Sequence, residues 1–123
     1  MKKAIRVTTK GLIEEIDLTS DSLTALQTAV GGWVQAIDLD ATLTMWCNEE
    51  GKILDMPHNP FAQVMWNEAF GPGTDYIVGD VVFSGTPDEE GYTTGLTARA
   101  EEVIRRTVAT TLKIVSPSFT MVD

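Results

Sequence analysis

The sequence predicts a single α+β domain, residues 1–123, with a largely antiparallel sheet of five or six strands and two or three helices. Three observations carry this. Short runs alternate β-branched or apolar residues with polar ones, as in Ala4-Ile5-Arg6-Val7-Thr8-Thr9 and from Trp33 to Leu39. Other stretches, after Thr19-Ser20-Asp21-Ser22 and after Asn59-Pro60, place their apolar residues at helical spacing instead. No repeat, linker or low-complexity stretch divides the 123 residues, which leaves room for one domain.

The elements follow in order. Residues 4–9 read as a strand, Lys10-Gly11 as a turn, and Leu12 to Leu18 as a strand pairing back. Thr19-Ser20-Asp21-Ser22 offers side-chain oxygens to orphan amides, so a helix is expected to bury Leu23, Leu26 and Val30 and to stop at Gly31-Gly32. Trp33 to Leu39 and Thr42 to Cys47 alternate as strands. Asn48-Glu49-Glu50-Gly51 reads as a tight turn with Gly51 at positive φ, returning into Lys52-Ile53-Leu54 as a further strand. Asn59 caps a second helix with Pro60 in its first turn and Phe61, Val64, Met65 and Phe70 along one side, ended by Gly71-Pro72-Gly73. Tyr76 to Phe83 reads as a central strand interrupted at Gly79-Asp80. Asp88 to Gly95 is a polar loop, and a last helix is expected over Thr97 to Thr110, burying Ala100, Val103, Ile104 and Val108. The tail from Leu112 to Asp123 offers an edge strand that Pro117 weakens.

Composition excludes several classes of function. Eighteen acids against nine bases give a net charge of −9, which repels phosphate backbones and anionic lipid, so neither direct nucleic-acid binding nor membrane binding is expected. The longest apolar runs are far too short to span a bilayer, and the N-terminal residues resemble neither a secretory signal nor a transit peptide. A soluble protein of the cytoplasm is expected. The single cysteine, Cys47, rules out an internal disulfide and reads as a small buried hydrophobe.

Catalytic chemistry finds little to stand on. The one histidine, His58, lies between two prolines, and nothing couples it to Cys47 as a nucleophile–base pair. One His and one Cys leave no zinc site. Asp38 and Asp40 at a strand end read as turn residues, without the cleft that paired carboxylates need. Gly71-Pro72-Gly73-Thr74 lacks the lysine of a phosphate loop. We therefore expect no catalytic residue, no metal site and no cofactor. The acids fall in clusters, Glu14-Glu15 with Asp17, Asp38 with Asp40, Glu49-Glu50 with Asp55, and Asp88-Glu89-Glu90. They read either as solvated faces or as a negative surface aimed at a basic partner. Of Trp33, Trp46 and Trp66, at least two are expected in the core, with Trp66 the best candidate for an exposed interface anchor. The candidate partner-binding residues are thus Glu49, Glu50, Trp66, Asp88, Glu89 and Glu90.

The order Val30-Gly31-Gly32-Trp33-Val34, Trp46-Cys47-Asn48-Glu49-Glu50-Gly51-Lys52, Pro57-His58-Asn59, Ile77-Val78-Gly79-Asp80-Val81-Val82 and Gly95-Leu96 resembles an uncharacterised family of small proteins. That family is a domain of unknown function from bacteriophages and actinobacterial or plasmid mobile elements. The resemblance spans about residues 23–97, and Pro60 stands where relatives often carry an arginine. It supplies context and no catalytic residues. It implies a protein that acts by binding: a counter-defence or host-takeover inhibitor occupying a surface of a host nucleic-acid-handling enzyme. Two alternatives stay open, a nucleotide-signal binder using Arg6, Arg99, Arg105 and Arg106, and a structural or regulatory subunit of a phage assembly. Acidic clusters on one face favour the inhibitor, and a pocket of arginines and aromatics favours the ligand binder.

Overall fold

The computed structural model describes residues 2–115. The chain forms β1 (Lys3–Val7), β2 (Ile13–Asp17), α1 (Ser22–Val30), β3 (Val34–Asp40), β4 (Leu43–Asn48), α2 (Pro60–Phe70), β5 (Val81–Ser84) and α3 (Ala98–Val115). The five strands make one antiparallel sheet in the order β2-β1-β5-β4-β3, so the fold is α+β with three helices. No helix among the described residues is long and apolar enough to cross a membrane.

Strand alternation sorts the core into two layers. Ile5, Val7, Met45, Val81 and Phe83 point to the face covered by α2 and α3, where Phe61, Met65, Ile104 and Val108 close the main core. Ala4 and Val82 point to the opposite face, where Leu26, Ala29 and Val30 of α1 cover them with Leu18. Leu23, expected inside, lies in the first turn of α1 and is exposed, outside the cluster that Leu26, Ala29 and Val30 form with the sheet.

Local capping chemistry explains the helix limits. Asp21 accepts from Thr24 N–H at 3.1 Å, and Gly31 at φ 81° closes α1. Thr97 Oγ1 accepts from Ala100 N–H at 3.1 Å to start α3, and Lys3 and Arg105 donate to Glu101 in its first turn. These cations hold the Glu101 carboxyl below the ordinary carboxylate range. The last helix runs past Thr110 to Val115, so Leu112 to Val115 is helical where an edge strand was expected. Residues 116–123 of that expected strand lie outside the described residues.

The segment after β4 departs most from the sequence reading. Lys52-Ile53-Leu54 forms no strand, because β4 already pairs β3 on one edge and β5 on the other. The chain instead makes one helical turn, with Leu54 N–H on Glu50 C=O at 2.9 Å and Met56 N–H on Gly51 C=O at 3.0 Å. The left-handed residue of that turn is Asp55 at φ 56°, not Gly51. Gly51 is closely packed instead: a Cβ there would meet Val78 Cγ2 at 3.0 Å and Asn48 C=O at 3.4 Å.

The expected central strand is also shorter. Val78 makes only an isolated bridge to His58, and Gly79 at φ 78° turns the chain into β5. A Cβ on Gly79 would lie 2.9 Å from Met56 Sδ as well as strain the backbone. Gly79→Ala is therefore expected to cost more than about 1 kcal/mol, and Gly51→Ala, free of left-handed strain, less. Urea midpoints of the two variants check the order, and equal shifts would contradict it.

Candidate binding surface

The strand register separates the acidic clusters. Thr44 pairs with Ser84 and Trp46 with Val82, so Asn48 lies at the end of the sheet where β5 begins. Glu49 and Glu50 follow Asn48 at that end, exposed. Asp88, Glu89 and Glu90 follow Ser84 at the opposite end, in a loop closed by Asp88 N–H on Tyr92 C=O and Gly85 N–H on Thr94 C=O. Asp38 and Asp40 sit at that second end too, accepting bonds from Thr44 Oγ1 and Thr42 N–H. The four clusters do not share one end of the molecule.

In one cluster two of the three carboxylates are ion-paired. Glu14 pairs with Arg6, and Glu15 pairs with Arg105 at 3.0 Å and Lys3 at 3.5 Å. Asp17 falls below the ordinary carboxylate range because Thr19 and the Lys2 amide donate to it. The same pairs occupy the arginines. Arg6 also donates to Ala29 C=O at 2.9 Å and Asp80 at 2.6 Å, and Arg106 pairs with Glu102. Arg99 stands apart, beside Asp40 and Thr97. The clefts lined by Arg6, by Arg99 and by Arg105 with Arg106 carry no aromatic side chain in their walls.

A cleft of about 260 Å³ opens beside β3, lined by Gln35, Ile37, Cys47, Lys52, Ile53 and Tyr76 among others. Its walls are held from several elements. His58 stacks on Tyr76 with ring centroids 4.4 Å apart. Gln63 of α2 accepts from Ile77 N–H at 2.9 Å and donates to Asp75 C=O at 2.9 Å, fixing the segment that carries Tyr76. Lys52 pairs with Asp75 across the cleft. Glu49 N–H donates to Trp33 C=O at 2.8 Å, which ties the turn to the start of β3.

Ile53 at 83 % and Tyr76 at 57 % line this cleft exposed, and Trp33, 66 % exposed, precedes β3, where its C=O accepts from Glu49 N–H. Trp33, not Trp66, is thus the exposed tryptophan. Trp66 is half-buried, its ring 4.4 Å from that of Phe70 and its indole N–H on Thr74 Oγ1 at 2.8 Å. Trp46 is half-buried on the α1 face and donates to Ser84 Oγ. Of the residues singled out from the sequence, Glu49 and Glu50 adjoin the exposed surface, whereas Trp66 and Asp88-Glu89-Glu90 do not. Sequence reading missed Ile53 and Tyr76 because both were assigned to strands.

Cys47 faces the cleft half-buried. Burial, and then the nearby Asp75 carboxylate, push its thiol up to about 11. At pH 8 its alkylation by iodoacetamide is expected to run roughly a hundredfold slower than that of an unfolded Cys, since only thiolate reacts. A rate equal to the unfolded chain's would show that the thiol is open and ionised. No group of three or more His, Cys, Asp or Glu able to hold a metal occurs among the described residues.

Comparison with curated proteins and with solved structures returns no match. The family comparison is positive and covers most of the chain. Residues 1–108 match the model described as Domain of unknown function (DUF3846), and the chain belongs to that family.

Proposed function

We propose that this protein acts by binding another protein through the surface around Trp33, Ile53 and Tyr76, and that its partner is a host enzyme that handles nucleic acid. The setting is a bacteriophage or mobile element acting in the host cytoplasm, as a counter-defence or host-takeover inhibitor. The observation that carries the reading is the exposed Ile53 and Tyr76 on one cleft, with the exposed Trp33 bonded through its C=O to Glu49 of the same cleft. Scattered apolar exposure is ordinary, but a gathered patch rimmed by polar residues marks a contact surface, and tryptophan and tyrosine are its usual anchors.

Charge supports the choice of partner. Glu49 and Glu50 stand beside the patch with no ion pair among the described residues. Carboxylates next to an apolar anchor suit the basic groove in which an enzyme holds DNA or RNA. The enzyme's own substrate would be excluded by occupancy, without chemistry from this chain.

The test is affinity capture from a bacterial lysate with the wild-type chain and with Trp33→Ala. A partner held by wild type, lost by Trp33→Ala and displaced from its DNA or RNA by the purified protein supports the reading. A partner held equally by both, with its nucleic acid undisturbed, overturns it.

A further inference from the structure

Resting on this protein-binding reading, we infer that the free edge of β3 receives an extended basic and apolar peptide segment of the partner as a sixth strand. The hydrogen-bond phase of the sheet shows which groups are offered. Glu49 N–H donates to Trp33 C=O, and Val34 is opposite Asn48 and Gln35 opposite Cys47. In an antiparallel pair, directly bonded residues alternate. Gln35 and Ile37 therefore exchange their bonds with Cys47 and Met45, while Val34, Ala36 and Asp38 turn their amides and carbonyls away from the sheet.

That edge is regular, and no described strand covers it. Among the described residues, β3 is last in the strand order and pairs only with β4. Its register stays even from Val34 to Asp38 and shifts only between Asp38 and Asp40. Unpaired edges are normally blunted with lysine, proline or a bulge. Here the bulge comes after Asp38, and Val34 to Asp38 contains neither lysine nor proline. The other sheet edge differs, since Glu14 and Glu15 of β2 are already held by Arg6, Lys3 and Arg105.

The surroundings of β3 set the chemistry of the occupant. A strand laid along it would place alternate side chains on the face of Gln35 and Ile37, where the cleft and the exposed Ile53 and Tyr76 receive apolar groups. Its other side chains would lie on the face of Ala36 and Asp38. Carboxylates flank both ends of the edge, Glu49 and Glu50 at one and Asp38 and Asp40 at the other. The only lysine lining the cleft, Lys52, is tied to Asp75. Apolar residues alternating with Lys or Arg fit this edge. A second copy of the chain would bring a net charge of −9 and its own Asp38 against it.

The experiment pans displayed random peptides of about twelve residues against the wild-type protein, then measures the enriched sequence as a synthetic peptide. We expect enrichment of apolar residues alternating with Lys or Arg, and new amide protection at Val34, Ala36 and Asp38 on binding. Ala36→Pro removes one outward N–H and leaves the β4 ladder intact, so binding should fall at least about tenfold with the melting curve preserved. N-methylating alternate peptide amides should do the same in one phase and not in the other, and this arm needs no change in the protein. Enrichment of acidic or helical sequences, no enrichment, or affinity indifferent to peptide N-methylation overturns the inference. A wild-type dimer dispersed by Ala36→Pro overturns it in favour of self-pairing. A lysate partner lost by Trp33→Ala but retained by Ala36→Pro overturns strand addition while leaving the protein-binding reading in place.

Discussion

Asn59→Ala is expected to lower the free energy of unfolding by about 3 kcal/mol, the largest effect of any single polar substitution in this chain. Asn59 is fully buried and joins three parts of the fold with one amide. Its Oδ1 accepts from Ala62 N–H at 3.0 Å and caps α2. Its Nδ2 donates to Val7 C=O at 3.2 Å, at the end of β1, and to Gly79 C=O at 2.9 Å, at the turn into β5. Losing the cap costs about 1 kcal/mol, and each carbonyl left buried without a donor adds roughly as much. The urea midpoint should fall with its slope unchanged, as for a loss of stability without a change in the surface exposed.

Two further substitutions separate these contributions. Asn59→Ser keeps a capping oxygen but reaches neither carbonyl, so an intermediate loss is expected. Asn59→Asp keeps the cap and turns the donor into an acceptor facing two carbonyls. Such a buried carboxylate has its pKa raised in the folded state, so its penalty grows as pH rises above the unfolded value of about 4 and shrinks in acid. A midpoint for Asn59→Ala within the scatter of exposed substitutions would show that water, not Asn59, satisfies those groups.

Asn59 also shows how far the sequence could be read. The helix start was legible, because a capping side chain followed by proline is a local signal within two residues. The bonds to Val7 and Gly79 were not, since they join positions 52 and 20 residues away. The same division runs through the rest of the chain. Five strands and three helices follow from periodicity and caps, but sheet order does not. Only that order reveals that β4 has no edge left for Lys52-Ile53-Leu54, which leaves Ile53 and Leu54 exposed on a turn. Trp66 lies at the margin of its helix's apolar face, yet Thr74 and Phe70 fold against it. Trp33, alternating with Ile37 like a core residue, stands at the end of an edge strand and stays in solvent. The acidic clusters were legible as composition. Their sorting into paired and unpaired groups depends on partners as distant as Arg105 from Glu15.

The double reversal Glu49→Lys with Glu50→Lys is expected to slow partner association by at least about tenfold at 0.1 M salt, whereas reversing Asp88, Glu89 and Glu90 together should change it little. The contrast follows from distance. The two clusters leave opposite ends of β4 and β5, and the six residues of β4 alone span about 20 Å. At 0.1 M salt exposed charges are screened over roughly 10 Å, so only carboxylates close to the contact steer the approach. At 0.01 M the screening length reaches roughly 30 Å, and both reversals should then slow association. Trp33→Ala should behave differently at every salt, leaving the association rate nearly unchanged and raising the dissociation rate, because it removes buried contact area instead of long-range charge. Stopped-flow rates for the captured partner at the two salt concentrations, with far-UV spectra confirming that each variant is folded, make the comparison. Equal slowing by both clusters at 0.1 M would place the contact elsewhere. Association indifferent to salt and to both reversals would leave the apolar surface as the whole basis of recognition.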